Sequence, residues 1–297
     1  MSPAVVRASG LVTGWGVGVA SLPKDAHAAA GGRRVIAVTP KARAGDRLRR
    51  ATRECLLGVE AVEALLAEGG LTRDEIAGDR TALVYVTAAA YGASNRAFVE
   101  GGGGALHFPY TAPSAVPAEV AIEFGLHGAY SVLIGGATAT IAALEHAATL
   151  LARGTCDRAI VLAVETFAEC EDLFARARWL ITTPLVESAA AVLLERNGGD
   201  ASNADAPNHD GANADGSNPE GGLGRASRVP PTSIKSASGQ TSLNSIGNTL
   251  ACGPLVDLAV ARANASGDVT LRAQWRDRDA AVTLAVTGRS GVPLARS

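Results

Sequence analysis

The 297-residue sequence has few of the residues on which surfaces for nucleic acid, sugars or lipid depend. Lysine occurs only three times, aromatic residues make up 4% of the chain, and the formal net charge is −2. Scattered arginines supply the rest of the positive charge, so no electrostatic footprint for nucleic acid or an anionic membrane is present. The shortage of aromatic residues argues against base-stacking platforms. We therefore expect neither nucleic acid nor a membrane as a partner.

Cysteine and histidine are equally sparse. The four cysteines (Cys55, Cys156, Cys170 and Cys252) lie far apart without a CxxC pair, which argues against a disulfide framework or zinc site and favours a reducing cytoplasm. The five histidines lack ligand spacing such as HxxxH, so we expect no metal and no cofactor. The N-terminal segment has no charged leader with a continuous apolar run, and neither export nor membrane insertion is indicated.

Short β-branched runs alternate with stretches of helical spacing, which is typical of a layered α/β fold. A first strand and its turn are predicted within 4–20. Further strands are predicted over 81–89, 129–134, 158–165, 188–195, 268–275 and 280–287. The helices are predicted over 46–70, 93–100, a short segment ending near Gly125, 137–153, and a turn and helix within 241–262.

A change of composition divides the chain. From residue 198 to 224 the sequence is rich in Asn, Asp and Gly and almost free of large apolar residues, so it cannot offset the entropy of ordering. We therefore predict an N-terminal part over 1–197, a disordered linker over 198–231 and a shorter C-terminal part over 232–297 that docks onto the first.

Five segments resemble, in order, the β-ketoacyl synthases of the thiolase fold. They are GLVTGWGVGVASL (10–22), residues 40–71, PYTAPSAV to LAVE (109–165), ESAAAVLLE (187–195) and SLNSIGNTLACGPLVDLA (242–259). No single motif is complete; their order carries the resemblance. It implies a layered α-β-α-β-α fold with a shortened C-terminal half.

The departures from the family pattern concern its catalytic groups. The position of the nucleophilic Cys falls on Ala137, and a methyl group cannot attack a thioester. The family's Lys position falls on Leu243, and its second His falls on Asn248, which cannot shuttle a proton near neutral pH. The stretch that carries the first His is absent, and the Asn-rich linker takes its place. No catalytic residue is therefore predicted.

The sequence gives little support to other candidate nucleophiles. Thr138 and Thr140 follow Ala137 without an evident base, and Cys156 and Cys170 are interpreted as incidental or buried thiols. His146 is interpreted as structural. The pair Gly135–Gly136 fits a tight turn before the helix, with a vestigial oxyanion hole as the alternative.

Loss of these groups together resembles the chain-length factors, the inactive partner subunits of type II polyketide synthases, and the short second half resembles those of polyene and aryl-polyene pathways. The resemblance implies a heterodimer with an active ketosynthase, which receives the chain from an acyl carrier protein. Activity of the subunit alone is not expected. An active thiolase-fold acyltransferase or decarboxylase with another nucleophile, and a stand-alone scaffold or acyl-binding protein, remain alternatives.

Two surfaces follow from the resemblance. The candidates for the wall of the acyl tunnel are Tyr110, Thr111, Ala112 and Val116, with a surface turn and core packing as the alternative. One strand is predicted to pair across the dimer axis, with an internal strand as the alternative. Its residues are Ala129, Tyr130, Ser131, Val132, Leu133 and Ile134.

Overall fold

A computed structural model of the chain contains the predicted alternation of strands and helices. The residues it describes are 4–41, 48, 51–101, 104–105, 107–167, 183–197, 246–264, 266–275 and 278–287. The predicted linker over 198–231, together with Cys170 and Leu243, lies outside the described residues.

The strands, numbered along the chain, are β1 (Ala4–Thr13), β2 (Gly16–Val17), β3 (Val35–Ile36), β4 (Thr81–Thr87), β5 (Tyr130–Ile134), β6 (Arg158–Glu165), β7 (Leu185–Val186), β8 (Ser188–Arg196), β9 (Gly267–Trp275) and β10 (Arg278–Val286). The helices are α1 (Ala26–Ala30), α2 (Arg53–Gly69), α3 (Arg73–Ile76), α4 (Gly92–Glu100), α5 (Ala115–Phe124), α6 (Ala137–Ala152) and α7 (Gly253–Asn264). These bounds confirm the predicted strands and helices, with one correction.

The correction concerns the start of α2, which is Arg53 rather than residue 46. Thr52 has an extended backbone, and the helix begins directly after it. The helix ends as predicted, at Gly70, whose φ of 63° is left-handed and therefore suits glycine. Its inner side lies so close to β1 that a Cβ on Gly10 would stand 2.0 Å from the Ala61 carbonyl oxygen.

The main sheet has the order β5-β4-β6-β8-β1-β10-β9. Strand β4 is parallel to both β5 and β6, whereas β8 is antiparallel to β6 and to β1. The β9–β10 hairpin joins at the start of β1, where Val5 and Val6 pair in parallel with Ala285 and Val286. Through this pairing, the described C-terminal strands pack onto the N-terminal part of the chain.

The sheet curls around α6. Strands β4 and β9 stand five places apart, which would separate them by roughly 24 Å in a flat sheet, about twice the diameter of a helix. Because α6 contacts β4 and β6 as well as β9 and β10, the hairpin has to fold over it. One apolar core therefore joins α6, α7, the inner face of the sheet and the hairpin.

A second apolar core lies on the other face of the sheet, beneath α2 and α5. Helices thus cover both faces of the central strands, which explains why all of β4, all but the first residue of β6 and most of β8 are buried. The predicted layered α/β class is confirmed. Among the helices bounded above, none combines the length and apolar character that crossing a bilayer requires.

A buried ion pair also links the two parts of the chain. Arg262 in α7 donates to Glu68 Oε1 at 2.7 Å and to the Arg7 carbonyl oxygen at 2.6 Å, and its side chain is only 4% exposed. The other oxygen of Glu68 accepts from Ser9 N at 3.1 Å. The pair therefore holds α7 against the end of α2 and the start of β1.

Replacing Arg262 by Met should lower the free energy of unfolding by about 3–5 kcal/mol, because Glu68 is left as a largely buried charge without its cation. Urea unfolding followed by circular dichroism measures this change. The matched control is Arg96→Met, which removes an exposed pair with Glu100 and should cost at most about 0.5 kcal/mol. Equal losses from the two variants would contradict the structural role given to the buried pair.

Candidate functional site

Ala137, the position that the family resemblance assigns to the nucleophile, follows a tight turn between β5 and α6. Gly136 occupies the N-cap position and Ala137 is the first helical residue. A Cβ on Gly135 would stand 2.9 Å from the Cβ of Ala139, so this position has room only for glycine. Close packing of the turn is therefore a sufficient reason for Gly135.

The segment that contains Asn248 lies against this end of α6. Thr140, one turn into the helix, donates from Oγ1 to the Ala251 carbonyl oxygen at 2.6 Å. The Asn248 backbone pairs with Pro184 O and Val186 N at 2.8 and 2.9 Å. The structure thus places the segment that contains Asn248 against the first turns of α6, although the two are separated by more than a hundred residues in the sequence.

The Asn248 side chain acts on its own turn. Its Oδ1 accepts from Leu250 N at 3.0 Å. Leu250 has a φ of 45°, the only positive φ at a residue other than glycine in the described part of the chain. Since this conformation costs free energy for a residue with a Cβ, the amide stabilises a strained turn beside α6.

The described thiols lie in surroundings that suppress their reactivity. Burial raises the pKa of Cys55 to about 11, and it also raises the pKa values of Cys156 and Cys252 above the ordinary range. All three side chains are buried, and Cys252 Sγ donates to the Ser188 carbonyl oxygen at 3.4 Å. Because the thiolate is the nucleophilic form, these positions are unsuited to covalent catalysis near neutral pH.

Glu165, which sequence reasoning missed, is the titratable group beside this site. Its carboxylate oxygens accept from Ala88 N at 2.6 Å and from Ala89 N at 3.0 Å, and the Ala251 backbone adds a third hydrogen bond. The side chain is completely buried. Burial raises the pKa of Glu165 to about 8 although the hydrogen bonds act in the opposite direction. Glu165 thus ties the loop after β4 to the turn before α7.

Glu187 is a second buried carboxylate that was missed. It accepts hydrogen bonds from Val38 N and Phe167 N, both at 2.8 Å, and pairs with Arg53 at the start of α2. A glutamate that ends or begins an apolar strand is the only sequence signal that could have drawn attention to either residue. Their partners come from distant segments.

The four candidate tunnel residues lie in one region before and at the start of α5. Tyr110 OH donates to Glu119 Oε1 at 3.0 Å, and Thr111 Oγ1 donates to Phe108 O at 2.8 Å. Ala112 is half-buried, whereas Val116 is 5% exposed and belongs to the core beneath α2. Their role as a tunnel wall stays a prediction.

The candidate interface strand β5 is an edge strand, paired in the described residues with β4 alone. The bonds at its two ends join Leu83 N to Ala129 O at 2.8 Å and Gly135 N to Thr87 O at 2.9 Å. Since alternate residues of a strand bond to one neighbour, this register leaves a row of backbone groups directed away from the sheet. The residues in that row are Tyr130, Val132 and Ile134.

The side chains of β5 leave apolar surface uncovered. Tyr130 is 46% exposed and Ile134 is 53% exposed, and no charged residue lies within the strand. On the opposite face Ser131 Oγ lies 3.2 Å from His146 Nε2, which gives this histidine a partner on β5. An open apolar edge of this kind is typical of strands that pair with another chain.

Comparison with known proteins agrees with this geometry. Residues 41–197, more than half of the 297, match the model of the family "Beta-ketoacyl synthase, N-terminal domain". No curated protein matches the chain.

Solved structures similar to the chain include ketosynthases. One is a type II polyketide synthase acyl-carrier protein in complex with its ketosynthase (16% identity, 66% of this chain and 63% of that chain, TM-score 0.55). Another is a β-ketoacyl synthase from Burkholderia phymatum (16%, 66% and 60%, TM-score 0.51). The ishigamide ketosynthase/chain length factor also matches (17%, 67% and 63%, TM-score 0.49). The chain spans about three fifths of the length of these structures. At such identities the likeness to the first two shows a shared thiolase-type fold and no more.

The raised pKa of Glu165 predicts a pH-dependent stability. Between pH 4.5, the ordinary pKa, and about 8, the folded state holds a proton that the unfolded state has released, so stability falls as pH rises. Glu165→Gln removes this titration. Relative to the variant, the wild type should lose up to about 1.4 kcal/mol per pH unit over this interval. Urea unfolding at pH 5.5, 6.5 and 7.5 measures the difference; parallel curves for the two proteins would contradict the prediction.

Proposed function

The chain belongs to the β-ketoacyl synthase family, and we propose that it is a catalytically silent chain-length-factor subunit that forms a heterodimer with an active ketosynthase in type II polyketide biosynthesis. In this proposal the active partner carries out condensation. The present chain covers the partner's interface and sets the length of the acyl tunnel through the volume of its side chains.

One observation carries the proposal: Ala137 stands at the start of α6, beside the turn that contains Asn248. These are the positions at which the resemblance to the family places the nucleophile and a catalytic histidine. A methyl group cannot form an acyl-enzyme, and an amide cannot exchange a proton near neutral pH.

Two polar groups that bond to the turn beside the start of α6 support a silent site. The Thr140 hydroxyl is directed at a carbonyl oxygen, and Glu165 accepts three backbone hydrogen bonds. Neither arrangement pairs a nucleophile with a base. We therefore do not favour an active acyltransferase.

The edge of β5 supports the proposed heterodimer. Its unpaired backbone groups offer a ladder to a second strand, and Tyr130 and Ile134 offer apolar side chains. Tyr130 OH also donates to Ser114 O at 3.2 Å, which connects this edge to the segment that holds the candidate tunnel residues. In our proposal the tunnel wall and the interface are therefore one continuous surface.

We further propose a polyene or aryl-polyene pathway, because the chain-length factors of these pathways are the ones that the sequence resembles. The acyl carrier protein delivers the chain through the partner. The fold is shared with a type II ketosynthase solved in complex with an acyl-carrier protein.

Co-expression of the tagged full-length chain with the active ketosynthase of its own organism tests the proposal. The expected result is a stable complex of one copy of each subunit by size-exclusion chromatography with light scattering. A stable monomer that recovers no ketosynthase would contradict it and favour a stand-alone scaffold.

Ile134→Glu should weaken this complex at least tenfold, because the substitution places a charge on the edge that the partner covers. Ile134 is 53% exposed in the single chain, so the variant should fold normally. The control is Val17→Glu, which changes an equally exposed valine on β2, beside β1 and distant from β5 in the sheet. Equal affinities of the two variants for the ketosynthase, measured by biolayer interferometry, would exclude β5 as the interface.

A further inference from the structure

His146 connects α6 to the open edge of the main sheet. Its Nε2 lies 3.2 Å from the hydroxyl oxygen of Ser131 on β5, and the histidine side chain is exposed. Ala129 and Leu133, two residues to either side of Ser131, pack against the core around α6, so Ser131 lies on the face of β5 that α6 covers. The imidazole therefore lies beside the outermost strand of the described sheet.

The side of α6 that carries His146 is open to solvent. Ala142 and Thr149, each about one helical turn from His146, are exposed as well. Both side chains are small and uncharged. These three residues, here called the α6 flank, adjoin the β5 edge through the contact between His146 and Ser131.

The elements nearest to the imidazole carry little charge. Strands β4 and β5 contain no charged residue, and their titratable groups are directed elsewhere. Tyr85 belongs to the core on the other face of the sheet, and Tyr130 OH donates to Ser114 O. In α6 the other ionisable residue is Glu145, and consecutive helical residues point about 100° apart, so this carboxylate is not directed at His146.

The elements that contact α6 elsewhere also direct their charges away from this flank. The hairpin buries Val269 and Leu271 of β9 in the core around α6. Its charged residues on the opposite, outer face are Asp268, Arg272 and Asp279. The turn at Leu250–Cys252 has no charged residue. Charged residues of β1, β6 and β8 lie at least two strands from β5, and α7 packs onto β1, β8 and β9.

We propose that the α6 flank belongs to the surface that the ketosynthase covers and that His146 makes the affinity of the complex depend on pH. This inference rests on the proposed function, in which the partner pairs with the β5 edge. A strand that continues the sheet lies about 5 Å beyond β5, and the layer that covers its apolar face in the partner then lies beside α6. The ketosynthase therefore removes water from His146 when it covers β5.

The charge of the imidazole decides the direction of the effect. Histidine is the side chain whose charge ordinarily changes between pH 5 and 8. The neutral ring can accept from the Ser131 hydroxyl and the protonated ring can donate to it, so this hydrogen bond is available in both forms. Covering the flank removes the water that stabilises the positive charge, and neither β4 nor β5 offers a carboxylate in exchange. Affinity for the ketosynthase should therefore fall as pH falls.

The test is the dissociation constant of the full-length chain and the ketosynthase, measured by biolayer interferometry between pH 8 and pH 5.5 for the wild type and His146→Gln. The wild type should weaken roughly tenfold more than the variant over this interval, since one bound proton changes affinity by at most about tenfold per pH unit. Titration of the ketosynthase itself affects both proteins equally and cancels in the comparison.

Two further variants complete the test. His146→Arg carries a permanent charge and should bind at least tenfold more weakly already at pH 8. His27→Gln changes another exposed histidine, on α1 and outside the main sheet, and should keep the pH dependence of the wild type. Both residues are exposed in the single chain, so the variants should fold normally, which circular dichroism checks.

Parallel pH profiles of the wild type and His146→Gln would overturn the inference and leave the proposed function standing. Wild-type affinity of His146→Arg at pH 8 would do the same, because it would place the α6 flank outside the interface. A complex that tightens as pH falls would also contradict the inference and would mean that the ketosynthase places a carboxylate beside the imidazole. Failure of the wild type to bind the ketosynthase at any pH would reject the proposed function together with this inference.

Discussion

The enclosure of α6 is the constraint on which the rest of this structure depends. The helix lies between the inner face of the sheet and the β9–β10 hairpin, and the sheet has to curl for both to reach it. The Thr140 hydroxyl fixes the start of the helix to the turn before α7, and the Arg262–Glu68 pair fixes α7 to the N-terminal part. The described elements of the second half therefore complete the core around this central helix.

The scaffold at the start of α6 is separable from the chemistry that the family performs there. The structure contains the tight turn at Gly135, helix α6 and the turn at Leu250. Glu165 bonds to the backbone of Ala251, next to the last of these. In our proposal, the side chains that depart from those of an active synthase include Ala137 and Asn248. Under the proposed function, the preserved backbone keeps the tunnel wall and the β5 edge in the geometry that an active partner requires, while turnover is left to that partner.

Much of this fold could be predicted from the sequence because the pattern that indicates most elements lies within the residues of the element itself. The fully apolar runs at β4 and β6 and the glycine-bounded end of α2 carry their own signals. The sequence could not show that Glu165 and Glu187 are buried, because the backbone N–H groups that satisfy them come from distant segments. The predicted start of α2 was wrong because the helical spacing of apolar residues extends to the N-terminal side of Thr52, whereas the backbone of Thr52 itself is extended.

The central claim is that this chain never carries the acyl group. Its most direct test is the intact mass of each subunit after the purified heterodimer is incubated with an acyl-carrier-bound starter thioester. The account predicts that the ketosynthase gains the mass of one acyl group and that the mass of the present chain is unchanged. An acyl adduct on this chain, abolished by substitution of one of its own Cys, Ser or Thr residues, would contradict the account and establish an active enzyme instead.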